Sequence, residues 1–120
     1  MSEFWKTGNE EILKHFKDKN SMYDANNIIF TDYCKKKMEQ RKIETKDVLT
    51  QILSEFPKFV EEQERSHKGD VEKRHKLVYR ISNKYFLLVV IVYEEMLLKV
   101  INVIKTSKDM EKIWQKKILN

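Results

Sequence analysis

One cysteine, one proline and two glycines in 120 residues each remove a class of answer. Cys34 alone cannot form an intrachain disulfide, so stability must come from buried apolar surface, and a cytoplasmic, reducing setting is the expectation. The three histidines, His15, His67 and His75, have no metal-ligand spacing, and neither a metal nor another cofactor is expected. Two glycines leave no room for a glycine-rich phosphate loop. The signatures of serine hydrolases, P-loop proteins, dinucleotide-binding proteins and zinc proteases are also missing. No apolar run is long enough to cross a bilayer as a helix, and the first residues are charged throughout, without the apolar centre of a signal peptide. No membrane partner is expected.

What is present fits a single globular domain with a real core. Hydrophobic residues make up 41% and charged ones 36%, too much apolar content for a disordered chain. The net charge of +5 allows an anionic partner such as RNA, DNA or an acidic protein without demanding one. A surface rich in Lys and Glu is equally a means of staying dissolved.

The chain is organised around residues 84–105, KYFLLVVIVYEEMLLKVINVIK. Residues 85–93 are nine apolar residues in a row, with the β-branched and aromatic content of a strand buried on both faces. After Glu94 and Glu95 the pattern alternates. Strict period-two spacing would put Lys99, Ile101, Val103 and Lys105 on one face and Leu98, Val100, Asn102 and Ile104 on the other. The connection is short enough to make the two runs antiparallel neighbours.

Taken in order, residues 9–19 predict a helix with a stripe of Ile12, Leu13 and Phe16, while Phe4 and Trp5 fold back onto it or onto the body. Residues 28–30 predict an edge strand. Thr31 or Asp32 caps a helix to about Lys42 with Tyr33, Cys34 and Met38 on its apolar side, where Cys34 reads as a packed thiol. Thr45 caps a second helix carrying Val48, Leu49, Ile52, Leu53 and Phe56, and Pro57 ends it. Residues 58–65 predict an extended edge with a solvated carboxylate run, Glu61, Glu62 and Glu64, and residues 66–72 a mobile loop. Residues 74–81 alternate as a strand, and Ser82 and Asn83 form a turn. Thr106 or Ser107 caps a last helix striped by Met110, Ile113, Trp114 and Ile118. The fold class is therefore α+β: an antiparallel sheet of three or four strands on a helix pair, with extra N-terminal and C-terminal helices. Residues 1–27 read as a helical extension and 28–120 as the main domain. A strand apolar on both sides needs a cover on each. The N-terminal helix, the C-terminal helix, a second copy in a homodimer and a foreign partner are the candidates for the second.

The alternation also gathers charge. Arg74, Lys76 and Arg80 share one side of one strand, and Lys99 and Lys105 one side of another. With the helix pair on the apolar side, these five cations would converge on the opposite face, where Tyr85 or Tyr93 could stack on a base.

An ordered set of short motifs resembles a small bacterial and archaeal domain family related in fold to RelE-type toxins. It comprises Phe30-Thr31, then Met38, Arg41 and Ile43, then Asp47-Val48, and the run VINVIKTSK at 100–108, with Lys112 and Trp114 after it. The resemblance covers residues 28 to about 117. Three positions depart from the pattern: Tyr33 stands where it has His, Lys42 where it has Gly, and Asn102 where it has Thr. The resemblance implies a toxin-like protein that binds RNA, on or off the ribosome, and a metal-independent ribonuclease with a cognate antitoxin. It nominates Arg74, Lys76, Arg80 and Tyr93 for catalysis, Tyr93 by stacking or proton transfer, and Arg41, Lys105 and Lys108 for RNA binding, to which the strand spacing adds Lys99. The alternative is a non-enzymatic protein-binding module on the same scaffold, which the missing His favours.

Overall fold

The computed structural model describes residues 5–7, 10–67 and 69–119. In chain order these form β1 (Trp5–Thr7), α1 (Glu10–Ser21), β2 (Ile28–Phe30), α2 (Asp32–Arg41), α3 (Thr45–Ser54), β3 (Phe59–His67), β4 (Asp70–Arg80), β5 (Phe86–Glu94), β6 (Leu97–Thr106) and α4 (Met110–Leu119). The class is α+β. The sheet is larger than the three or four strands expected: six strands in the order β1-β3-β4-β5-β6-β2. It is also mixed, because β2 runs parallel to β6 while every other pairing is antiparallel. The two edges are three residues each: β2 is the edge strand expected at residues 28–30, whereas β1 was not expected, its three side chains carrying almost no periodic signal.

The apolar run forms β5, with β4 on one side and β6 on the other, as its composition requires. Its helix-side residues Leu87, Val89 and Ile91 join Val60, Leu77, Tyr79, Leu98, Val100 and Val103 in one buried cluster. Cys34 and Met38 of α2, Val48 and Ile52 of α3, and Leu13 and Phe16 of α1 complete that cluster, with Leu49 and Leu53 packed against it. The N-terminal helix is thus beside the helix pair on the same sheet face, not across the second one. Among the described residues, the cover on the second face is at one end, where Met110 of α4 packs on Phe59, Val78, Phe86 and Leu88. The side chains of Trp114 and Ile118, like Phe4 and the side chain of Trp5, lie outside the described residues.

Local chemistry sets the element ends. Thr31 Oγ1 accepts from the Cys34 amide at 3.1 Å and caps α2. Glu44, not Thr45, is the residue before α3, with no side-chain cap bond. The last helix is capped by neither Thr106 nor Ser107: Asp109 Oδ1 accepts from the Lys112 amide at 3.1 Å, so α4 begins later. Within the helix pair Tyr33 is 59% exposed and Phe56 54% exposed, so neither belongs to the packed stripe. The segment expected as a mobile loop is a hairpin instead: β3 and β4 stay paired out to His67 and Asp70. Gly69 turns the chain with φ of 83°, the left-handed region that glycine enters without a Cβ penalty. Because β5 pairs only with residues 75–80 of β4, the outer part of this hairpin, from Gln63 and Arg74 onward, is a two-stranded ribbon reaching past the sheet.

A bulge changes the sidedness of β6. Ile91 pairs with Val100 but Val90 pairs with Asn102, so Ile101 is an extra residue with no partner. Up to Val100 the even-numbered residues face the helices; beyond the bulge the odd-numbered ones do. Val103 is therefore buried while Ile104 is 36% exposed. Strict alternation had the reverse for everything after position 101.

Two substitutions check this packing. Ile52 is fully buried, so Ile52→Ala should cost about 2–5 kcal/mol in denaturant titration, through lost burial and the cavity left behind. Lys42 ends α2 in the left-handed conformation, φ 57° and ψ 43°, at the position where the resembled pattern has glycine. Lys42→Gly should raise stability by about 0.5–1 kcal/mol in the same titration, by relieving the Cβ clash of that conformation.

Candidate functional site

The part of the second sheet face that the described side chains leave open is a groove of about 570 Å³. Its floor is Leu88 and Val90 of β5 with Ile101 and Ile104 of β6; its walls are Thr31 and Tyr33 at the start of α2, Asn102 at the bulge, and Gln63, Arg65, Arg74 and Lys76 from the hairpin. The floor is apolar because β5 is apolar on both sides. The walls are polar because outward positions of β3 and β4 alternate with buried ones.

Of the residues nominated from sequence, Arg74 and Lys76 line this groove. Arg80 lies on the same face but at the α4 end, where it pairs with Glu111 at 3.1 Å, donates to the Asn83 carbonyl and sits 5.2 Å from the Phe86 ring. Lys99 is tied to Glu94 at 2.6 Å. Lys108 is exposed in the connection before α4. Lys105 is carried by the bulge to the helix side, against the Tyr85 ring at 4.7 Å and in a cleft with Lys42, Asp47, Thr50 and Gln51. The five cations therefore do not converge on one face.

Tyr93 is likewise on the helix side. It lies beside Phe16 and His75 under α1, donates to Asn20 Oδ1 at 2.6 Å and has Lys19 over its ring at 3.8 Å. Burial pushes its hydroxyl well above the ordinary phenol range, with Tyr79 and Tyr23 adding to the shift. It is a core side chain, remote from Arg74 and Lys76 by the thickness of the sheet.

Arg41 has a definite task. Its Nη1 donates to Asn102 Oδ1 at 3.0 Å and to the Val103 carbonyl at 2.7 Å, capping the β6 edge where β2 no longer pairs with it. The same bond holds Asn102 at the groove wall. Its guanidinium also works against a rise in the Cys34 pKa, yet burial still pushes that thiol to about 11, which suits packing and not nucleophilic attack.

The groove charges are partly balanced. Arg74 meets Glu72 at 2.7 Å, and Lys76 meets the buried Glu61 at 3.8 Å, a carboxylate that also accepts from Gln63 Nε2 at 3.1 Å. With Arg65 that is three cations against two carboxylates, a modest positive excess. Sequence reasoning missed Tyr33, Asn102 and Arg65 as site residues. Two of them were already marked as departures from the resembled pattern, and the groove is where those departures meet. Among the described residues, no three of His, Cys, Asp and Glu converge as a metal site requires, and no helix is long and apolar enough to cross a membrane.

Neither family models nor curated proteins nor solved structures compared with this chain match it.

His75 gives the helix-side cluster a pH dependence. Its imidazole is 13% exposed, 5.3 Å from the Phe16 ring and 3.4 Å from Glu62. Burial pushes its pKa below the usual value; Glu62 opposes that, while Lys19 and Lys73 add to it. The folded protein then binds this proton less readily than the unfolded chain, whose histidine titrates near about 6.5. This contribution to stability should be full above that pH and shrink below it. The melting temperature should fall between about pH 7.5 and about pH 5.5, and His75→Gln should flatten that fall.

Proposed function

We propose that this chain is a toxin-like RNA-binding protein on a RelE-like scaffold, using the open groove of its sheet. One observation carries the reading. The strand cations Arg74 and Lys76 line a single groove with Thr31 of the resembled motif and with Tyr33 and Asn102, two positions that depart from it. A phosphate chain running along the hairpin wall would meet Arg65, Arg74 and Lys76, exchanging with Glu72 and Glu61 for their charges. Binding is the step this geometry supports. Tyr93, nominated for proton transfer, is on the other side of the sheet, so the metal-independent ribonuclease activity that the resemblance implies would need another base.

A second reading has its own support. α4 already lies on this face with Met110 on apolar strand residues and Glu111 on Arg80. An amphipathic helix of a protein partner, acidic on its flank, could extend that packing into the groove, as a cognate antitoxin or as the target of a non-enzymatic module.

Salt dependence separates the two. RNA affinity followed by fluorescence anisotropy should fall with a log–log slope of about −2 if three phosphates are neutralised on a single strand. The Arg74→Ala/Lys76→Ala double variant should flatten the slope to about −0.7 while remaining folded by circular dichroism, with a lower melting temperature because Lys76 faces the buried Glu61. Absence of binding at low salt would sink the RNA reading and leave the protein-binding one.

A further inference from the structure

Resting on that RNA reading, we infer that the groove holds an unpaired base, stacked on Tyr33 and hydrogen-bonded by Asn102, so that its ligand is single-stranded RNA and not duplex. The floor gives the first reason. Val90, Ile101 and Ile104 offer apolar surface at the centre of a cationic groove, and phosphates have no use for it. The flat face of a base does, once it is free of its neighbours. A duplex keeps its base faces stacked inside and would present this groove with backbone alone.

Tyr33 gives the second reason. It lines the groove, is 59% exposed, and has Lys37 Nζ 5.7 Å from its ring. An aromatic ring left this open at the first turn of a helix, across the groove from Arg74 and Lys76, is placed as a stacking platform.

The hydrogen-bonding inventory gives the third. Arg41 occupies Asn102 Oδ1, so what Asn102 offers the groove is its amide N–H groups. Thr31 Oγ1 already accepts from the Cys34 amide, which leaves its O–H to donate. With Arg65, Arg74 and Lys76 the lining is dominated by donors, and Gln63, whose Nε2 is turned to Glu61, presents the exception. The ligand must therefore be rich in acceptors. Phosphate oxygens serve along the hairpin wall, and ring nitrogens and carbonyl oxygens of a base serve at Asn102.

The test uses the full chain, a short unstructured RNA carrying a fluorescent label, and the same strand annealed to its complement. Single strand should bind at least about tenfold tighter than duplex at equal salt. Tyr33→Ala should weaken single-strand binding about tenfold while leaving duplex binding unchanged, and Tyr33→Phe should restore it. Asn102→Asp keeps the Arg41 bond and removes the donors; it should weaken single-strand binding severalfold with the melting temperature unchanged or higher. Equal affinity for the two forms, or a Tyr33→Ala variant that binds single strand like wild type, would overturn the base site and leave RNA binding in place. No binding of either form at low salt would overturn both.

Discussion

Burial of β5 on both faces is the constraint from which the rest follows. A strand made of Leu, Val, Ile and aromatics cannot leave either side to water without forfeiting about 25 cal/mol for each Å² exposed. On one side the cost is met three times over, by α1, α2 and α3. On the other, Met110 of α4 covers Phe86 and Leu88. Val90 is left in a half-covered trough, and that trough is the groove. The candidate site is the remainder of an unfinished core, which explains why its floor is apolar although its walls are charged.

The charges on those walls have a structural side as well. Paired strands bring Glu61 opposite Lys76 and Arg65 opposite Glu72, the cross-strand arrangement that stabilises a hairpin of polar residues. Glu61 is 7% exposed, so a cation near it lowers the cost of keeping a carboxylate away from water. Some of the positive charge that made the strand conspicuous in the sequence is therefore committed to holding the sheet. What remains for a ligand is the excess, not the total.

Much of this was legible in the residues. The apolar run gave away β5 because its β-branched and aromatic content favours a strand buried on both faces. The helix stripes around Met38 and Ile52 follow the 3.6-residue period closely enough to be placed without coordinates. The site was legible only in part, for two physical reasons. An extra residue at Ile101 reverses every side chain after it, and nothing in VINVIK distinguishes a bulged strand from a straight one. That single residue moved Lys105 to the other face. Tyr93 misled for a different reason: its ring ends a buried strand, and its hydroxyl is satisfied by Asn20, a residue 73 positions away in sequence. Alternation can say which residues share a side, but not which side is already taken.

The ribbon that carries Arg65 and Arg74 has a mechanical consequence. Their partners across the groove stand on β6 and α2, both anchored in the core, whereas these two stand on a pair of strands with no third strand beside them. A two-stranded ribbon resists bending far less than a sheet. The groove is thus a vise with one jaw fixed in the core and the other, at Arg65 and Arg74, on a more pliable support. Its spring lies at positions 74 and 75, where β4 leaves the support of β5.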